Sequence, residues 1–217
     1  KIKDKNVLEV GCGVNYLVPY WLLTKNNVVA FDVCKEAVFL LKDIVKRLNL
    51  PDKSLQLYVG DASLINFDKK FDIININNVL HHISDKRGTL SKLRKMLKKN
   101  GKILIVEPNY YYPFRWIAET DIFGKFNFVK KYFEKNYLIE ENEKAIKFKE
   151  LKQLIKDMNF KTEVNIKDPN YLGYATIYFL DKFPRLVNLI YYTDKFFFSK
   201  IMPRFIAPFE YLIISKR

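Results

Sequence analysis

The first hundred residues alternate between two hydrophobic rhythms. Short, nearly continuous apolar runs fall at 6–10, 28–31, 55–59, 71–76 and 102–106. Between them, apolar positions recur at three- and four-residue spacing. The stretch 35–48 shows this best, with Ala37-Val38, Leu40-Leu41, Ile44-Val45 and Leu48 on one face. Continuous runs predict buried strands, and the 3.6-residue period predicts helices. Helices are expected at 15–24, despite Pro19, at 35–48 and at 84–99. The last is basic and amphipathic, with Ser84 as its N-cap and Asn100-Gly101 as its stop. Further along, 147–158 reads as a helix and 161–166 as a strand. The run Tyr211-Leu212-Ile213-Ile214 centres a last strand over 209–216.

Strands that alternate with helices, and are apolar throughout, belong to a parallel sheet covered on both faces. The expected fold is α/β, a doubly wound and mostly parallel sheet. Ligands of such sheets sit outside the carboxyl ends of the strands, where the strand order reverses. The texture changes at Pro108. Of 34 aromatic residues, only 8 precede it. Two segments, 109–137 and 171–209, hold most of the others. They read as aromatic-rich insertions after the fifth and sixth strands. There are no repeats and no low-complexity linker, and 217 residues suit a single domain.

Composition sharpens this only in part. With 49% hydrophobic and 29% charged residues the chain can bury a core. The formal charge of +14 raises nucleic acid or an anionic membrane as partners. A chain this rich in Lys, Asn, Ile, Phe and Tyr spreads lysine over solvated helix faces, which accounts for most of that charge without any partner. Cys12 and Cys34 form no disulfide framework and have no metal-ligand spacing, so no metal site is expected and a reducing compartment is. No signal peptide and no apolar run near the ~20 residues of a membrane span are present. The expected location is cytoplasmic, with peripheral attachment to a membrane as the alternative. The chain begins at Lys1 rather than Met, so a preceding segment is expected.

The chemistry concentrates at strand ends. "VLEVGCG" runs from a strand into Gly11-Cys12-Gly13, then toward a helix. Glycines there let the backbone approach a ligand, and the helix start offers free N–H groups. A dinucleotide site needs a third glycine where Tyr16 stands, so a nicotinamide enzyme is disfavoured. The phosphate-loop ending is absent. Asp32 closes the second strand, 19 residues after Gly13. An acid there can accept hydrogen bonds from both hydroxyls of a ribose. "VGDA", Val59 to Ala62, closes the third strand, and "FDIININNVLHHISD" carries the fourth into a turn with the two histidines.

In this order the segments resemble the class I, Rossmann-like, seven-strand S-adenosylmethionine-dependent methyltransferases, with a type-11-like methyltransferase domain. The likeness covers roughly residues 6–109: "LEVGCG" for the first motif, Asp32, "VGDA", the fourth-strand run, and "NGKILIVEPN" for the fifth strand. It implies a cofactor, S-adenosyl-L-methionine, held by Glu9, Gly11, Cys12, Gly13, Asp32, Val33, Asp61, Ala62, Asn77 and Asn78. Asp61 would take the adenine amino group and the Ala62 N–H a ring nitrogen. Asn77 and Asn78 would border the methionine part. The family usually has glycine where Asn15 stands. Asn tolerates positive φ, so Asn15 is expected to have a positive φ or to sit in a shifted turn. Residues 1–109 become a cofactor-binding half and 110–217 a substrate-side half, with cap or lid segments at 110–137 and 171–206.

Methyl transfer to a hydroxyl needs a base. His81 and His82 are the only histidines. His82 aligns with the family's recurrent histidine and is the candidate catalytic residue; local packing is its alternative role. Adjacent histidines cannot face one metal from a helix. The segment 171–217 holds seven basic and three acidic residues among its aromatics. That mixture suits a lid over a small-molecule or lipid-like acceptor, with peripheral contact to an anionic membrane. The alternatives are a cap with its own core and a homodimer surface. A catalytically silent S-adenosylmethionine-binding scaffold and an RNA methyltransferase are the rival functions. Nucleic acid is disfavoured because no RNA-binding module is visible.

Overall fold

A computed structural model describes residues 2–111, 146–167 and 207–217, together with Tyr192, Thr193, Phe196 and Lys200. Its strands are β1 (Asn6–Val10), β2 (Asn27–Asp32), β3 (Leu55–Val59), β4 (Phe71–Asn77), β5 (Leu97–Pro108), β6 (Phe160–Lys167) and β7 (Phe209–Lys216). They form one seven-stranded sheet in the order β3-β2-β1-β4-β5-β7-β6. The pairs β1–β2, β1–β4, β2–β3 and β4–β5 are all parallel. Strand order reverses between β1 and β4, so their carboxyl ends form the switch point at which such sheets bind ligands. Four described helices accompany the strands: α1 (Leu17–Leu23), α2 (Lys35–Arg47), α3 (Lys86–Met96) and α4 (Phe148–Asp157).

The chain divides into two compact units. The first comprises Lys1–Val106, Lys152–Asn165 and Leu212–Arg217; the second comprises Glu107–Leu151 and Ile166–Tyr211. In the first unit, Val7, Val28, Ala30 and Ile73 point from the sheet into Val18, Trp21 and Leu22 of α1 and Val38, Leu41 and Val45 of α2. Pro19 is buried in this cluster. It is the third residue of α1, where a backbone N–H has no partner within the helix, so proline costs the helix nothing there. In the second unit, Asn109 bridges Ile146, donates its backbone N–H to Pro208 O at 2.8 Å, and donates its side-chain amide to Ala207 O at 2.8 Å. The aromatic segments expected at 110–137 and 171–206 lie, apart from a few residues, outside the described residues.

Two expectations around α3 need correction. Its N-cap is Asp85, not Ser84: the Asp85 Oδ1 accepts the Gly88 N–H at 2.8 Å. A cap reaches three residues forward, and a carboxylate also suits the positive end of the helix. The helix ends at Met96, not at 99, because Leu97 turns to extended geometry and enters the core at 1% exposure. β5 therefore starts five residues early. Its register with β4 runs Phe71↔Leu97, then Ile73↔Lys102, which sets two residues of β4 against five of β5. Gly101 makes the bulge fit. A Cβ on it would lie 2.9 Å from Phe71 O and 2.7 Å from the Leu97 side chain.

Candidate functional site

The register of the sheet brings the strand-end residues to one edge. Val10 lies beside Phe31 of β2 and Ile76 of β4, and Asp32 lies beside Val59 of β3. The residues just beyond these ends are Gly11, Val33, Gly60-Asp61 and Asn77-Asn78. Backbone bonds tie the edge together: Cys12 N–H to Phe31 O at 2.9 Å, Gly60 N–H to Asp32 O at 2.9 Å, and Asn78 N–H to Val106 O at 2.9 Å.

Gly11 and Gly13 both adopt positive φ, +65° and +46°. The two glycines serve different ends. A side chain on Gly11 would overlap Val79, whereas nothing lies within 4 Å of a Cβ on Gly13. Gly13 is also where the loop meets Asp32. Its N–H donates to Asp32 Oδ2 at 2.7 Å, and the Cys34 N–H donates to Asp32 Oδ1 at 2.9 Å. Each carboxylate oxygen is thus anchored once and keeps a second acceptor site. Val14, Tyr16, Val33 and Leu64 are exposed near these turns, Val33 at 74% and Leu64 at 78%.

Asn15 does not take positive φ. Among the described non-glycine residues that do, the nearest one at this edge is Asn78, at 57°. Asn15 works through its side chain instead: Oδ1 accepts the Leu17 N–H at 2.8 Å, which serves the start of α1. Asp61 likewise folds a turn. Its Oδ1 accepts the Ser63 N–H at 2.6 Å, and that backbone hydrogen bond is the main cause of a carboxyl pKa held below its ordinary value. Ala62 follows it, half-buried. Asn77 ends β4 beside Val106, and Asn78 is exposed. His82 is exposed in the next turn, its N–H on Val79 O at 3.0 Å and its ring centroid 4.0 Å from that of His81.

Two of the expected cofactor residues sit beneath the edge rather than on it. Cys12 is fully buried; burial, then the Asp32 and Glu9 carboxylates, push its thiol up to about 12. Glu9 is also fully buried. Its Oε2 accepts the Trp21 Nε1–H at 3.0 Å and its Oε1 accepts an Asn75 amide N–H at 2.8 Å. Burial raises the Glu9 carboxyl to about 7 against the opposing hydrogen bonds from Asn75, Trp21 and Asn15. Glu9 therefore fastens α1 and β4 to the glycine turn. Trp21 and Asn75 were missed by the sequence reading. Asn75 had left a signal: it is a polar residue set among Ile73, Ile74 and Ile76 of β4, and Glu9 is its register partner in β1.

A doubly wound sheet with a Gly-x-Gly turn, an acid closing the second strand and a second acid after the third is the arrangement of the Rossmann-like, nucleoside-binding folds. Residues 8–105 match the family described as a methyltransferase domain. That region resembles the class I, S-adenosylmethionine-dependent methyltransferases, and the sheet has their fold. The chain is similar to the tRNA U34 carboxymethyltransferase of Campylobacter fetus, 33% identical over 48% of this chain and 36% of that protein. It is also similar to the ubiquinone biosynthesis O-methyltransferase of Pelagibacter ubique, 27% identical over 50% of this chain and 44% of that protein. The chain spans less than half the length of these two curated relatives. Among solved structures, an S-adenosylmethionine-dependent methyltransferase from Clostridium acetobutylicum shares the fold. Its TM-score is 0.65 at 13% identity, over 97% of this chain and 83% of that one.

Proposed function

We propose that this chain transfers the methyl group of S-adenosylmethionine to a small-molecule or lipid-like acceptor by in-line displacement. The observation that supports the cofactor part most is the Asp32 carboxylate. It is anchored to the glycine turn and to Cys34, and it keeps acceptor capacity for both ribose hydroxyls. The open space at Gly13 and the exposed Val14, Tyr16, Val33 and Leu64 fit a flat, partly apolar nucleoside. In this reading Asp61 takes the adenine amino group, the Ala62 N–H takes a ring nitrogen, and Asn77 and Asn78 border the methionine part. Gly11 and Gly13 let the backbone approach, while Glu9 and Cys12 hold the turn from below.

The cofactor, when bound, supplies a methyl group already activated on a cationic sulfur. What remains for the chain is to orient the acceptor and exclude water, which can lower a barrier by about 7–11 kcal/mol. His82, exposed in the turn after β4, is the proposed base for a hydroxyl or amine acceptor, an effect of about 10²–10⁴-fold in rate. No helix among the described residues is long and apolar enough to cross a membrane. Contact with an anionic membrane is proposed as peripheral, through the aromatic and basic segment 171–206.

Calorimetry with S-adenosylhomocysteine tests the cofactor assignment. The expected result is micromolar binding that Asp32→Ala weakens about 100-fold, as the loss of two charge-assisted hydrogen bonds should. Binding of NAD without binding of S-adenosylhomocysteine would overturn it. An RNA acceptor is the rival reading, favoured by the overall charge and by the likeness to a tRNA-modifying enzyme. Methyl incorporation into RNA, with none into a lipid extract, would replace the acceptor proposed here.

A further inference from the structure

At the opposite edge of the sheet, where β4 and β5 begin, the charge has the other sign. Ser91, Arg94 and Lys95 near the end of α3 and Lys216 at the end of β7 line a hollow of about 260 Å³. The cations around it are held in place. Lys216 Nζ donates to Leu97 O at 2.5 Å, and Lys70 Nζ donates to Lys95 O at 2.7 Å. Arg94 lies over the Phe160 ring, 5.5 Å from its centroid. None of the four cations has a carboxylate partner among the described residues. The Arg94 Nε is moreover buried and has no hydrogen-bond acceptor. A buried donor of this kind is costly when left without an acceptor, and more so on a charged group. Native structures almost always supply a partner, whether protein, water or ion.

Helix geometry explains only part of this cluster. The carboxyl end of a helix carries about half a negative charge, and one lysine or arginine there is favourable. Lys70 and Lys216 on the last carbonyls meet that need. Arg94 and Lys95 bring further positive charge into the same space. The crowding registers on Lys216, whose ammonium pKa is lowered, by burial first and then by Lys70 and Arg94. Cations with no carboxylate partner among the described residues, of which Lys70, Lys216 and Arg94 are fixed by carbonyls and an aromatic ring, form a site preorganised for an anion.

We propose that this hollow binds a phosphate group. Arg94 would take two of its oxygens, Ser91 would donate a hydroxyl, and Lys95 and Lys216 would complete the charge. The phosphate is either free or carried as the ester of a larger molecule. The assignment goes beyond the methyltransferase reading and does not depend on it, since no residue of the hollow belongs to the glycine-turn edge.

The test is titration of the full chain with inorganic phosphate at fixed ionic strength, followed by NMR on the arginine Nε–H resonances. The expected result is saturable movement of the Arg94 Nε–H. Arg94→Gln and Lys216→Met should each raise Kd about tenfold or more, with S-adenosylhomocysteine binding unchanged. Parallel titrations with a nucleoside 5′-monophosphate and with a short single-stranded RNA separate the sources. Equal affinity for free phosphate and the monophosphate indicates a small anion. A tighter RNA complex that also needs Arg94 indicates a phosphate within a polymer. A wild-type Arg94 Nε–H that stays still at saturating phosphate overturns the proposal even if the variants do not fold. So does phosphate binding that Arg94→Gln leaves unaltered.

Discussion

At the carboxyl ends of β1 to β4 the chain sets two positive-φ glycines, Asp32 and Asp61. At the amino ends of β4 and β5 it sets Lys70, Arg94, Lys95 and Lys98. The difference follows from winding. Parallel strands finish at one edge, so each following helix starts there and ends at the other. Helix starts favour acids and helix ends favour bases, each by about 0.3–1 kcal/mol. Glu36 in the first turn of α2, with Lys46 and Arg47 in its last, obeys the rule, as does Asp85 at the start of α3. The two edges teach that a basic composition need not be spread evenly. What exceeds the helix-end requirement is the Arg94 and Lys95 cluster proposed above to take an anion.

The comparison can be broken most directly at Gly11. Gly11→Ala forces an alanine to +65° and against Val79, so a loss of about 2–5 kcal/mol in urea unfolding is expected. A loss below about 0.5 kcal/mol would mean that the turn is not the rigid edge described. Beneath that edge, Glu9 tests electrostatics. Its folded pKa, about 7, lies above the ordinary 4.5. The folded state therefore holds the proton more tightly. The associated stability is full below about pH 4.5 and is lost as pH rises through 7, a change of about 3 kcal/mol. Denaturation between pH 5 and 8 should show this decline in the wild type and a flatter profile in Glu9→Gln. Parallel profiles would remove Glu9 from the account.

The amino-end edge should respond in the other direction, and less. Burial opposes ionisation of Asp72, but the Lys98 ammonium at 2.8 Å and the Asn6 N–H outweigh it, and its pKa is lowered. That stability is present above the ordinary carboxylate range and is lost as pH falls below it. Lys98 is 41% exposed, so Asp72→Asn should cost about 1 kcal/mol or less at neutral pH and nothing in acid. An equal cost at both pH values would show that packing, not charge, is at work there.

Strand positions were legible because most strands centre on short, nearly continuous apolar runs between polar breaks; β1, β3 and β7 match the expected boundaries to the residue. The end of α3 was not. Leu97, Asn100 and Gly101 look like the last turn and stop of a helix, but Leu97 has a buried place to fill in the sheet, and tertiary packing overrode the local signal. Asn15 misled for a related reason. Backbone tolerance suggested a left-handed residue, whereas its amide was needed for the start of α1 and for Glu9. The buried Glu9–Asn75–Trp21 set needs cross-strand register to be seen, which one sequence does not display.

The two cysteines now differ in a practical way. Cys12 is sealed and burial pushes its thiol up to about 12, while Cys34 is partly open, two residues from Asp32, its backbone N–H donating to the Asp32 carboxylate. A thiol-directed dye would therefore mark the native chain at a single point. That point sits beside the carboxylate proposed to take the ribose, so this chain carries an attachment site for an optical reporter of the proposed nucleoside pocket.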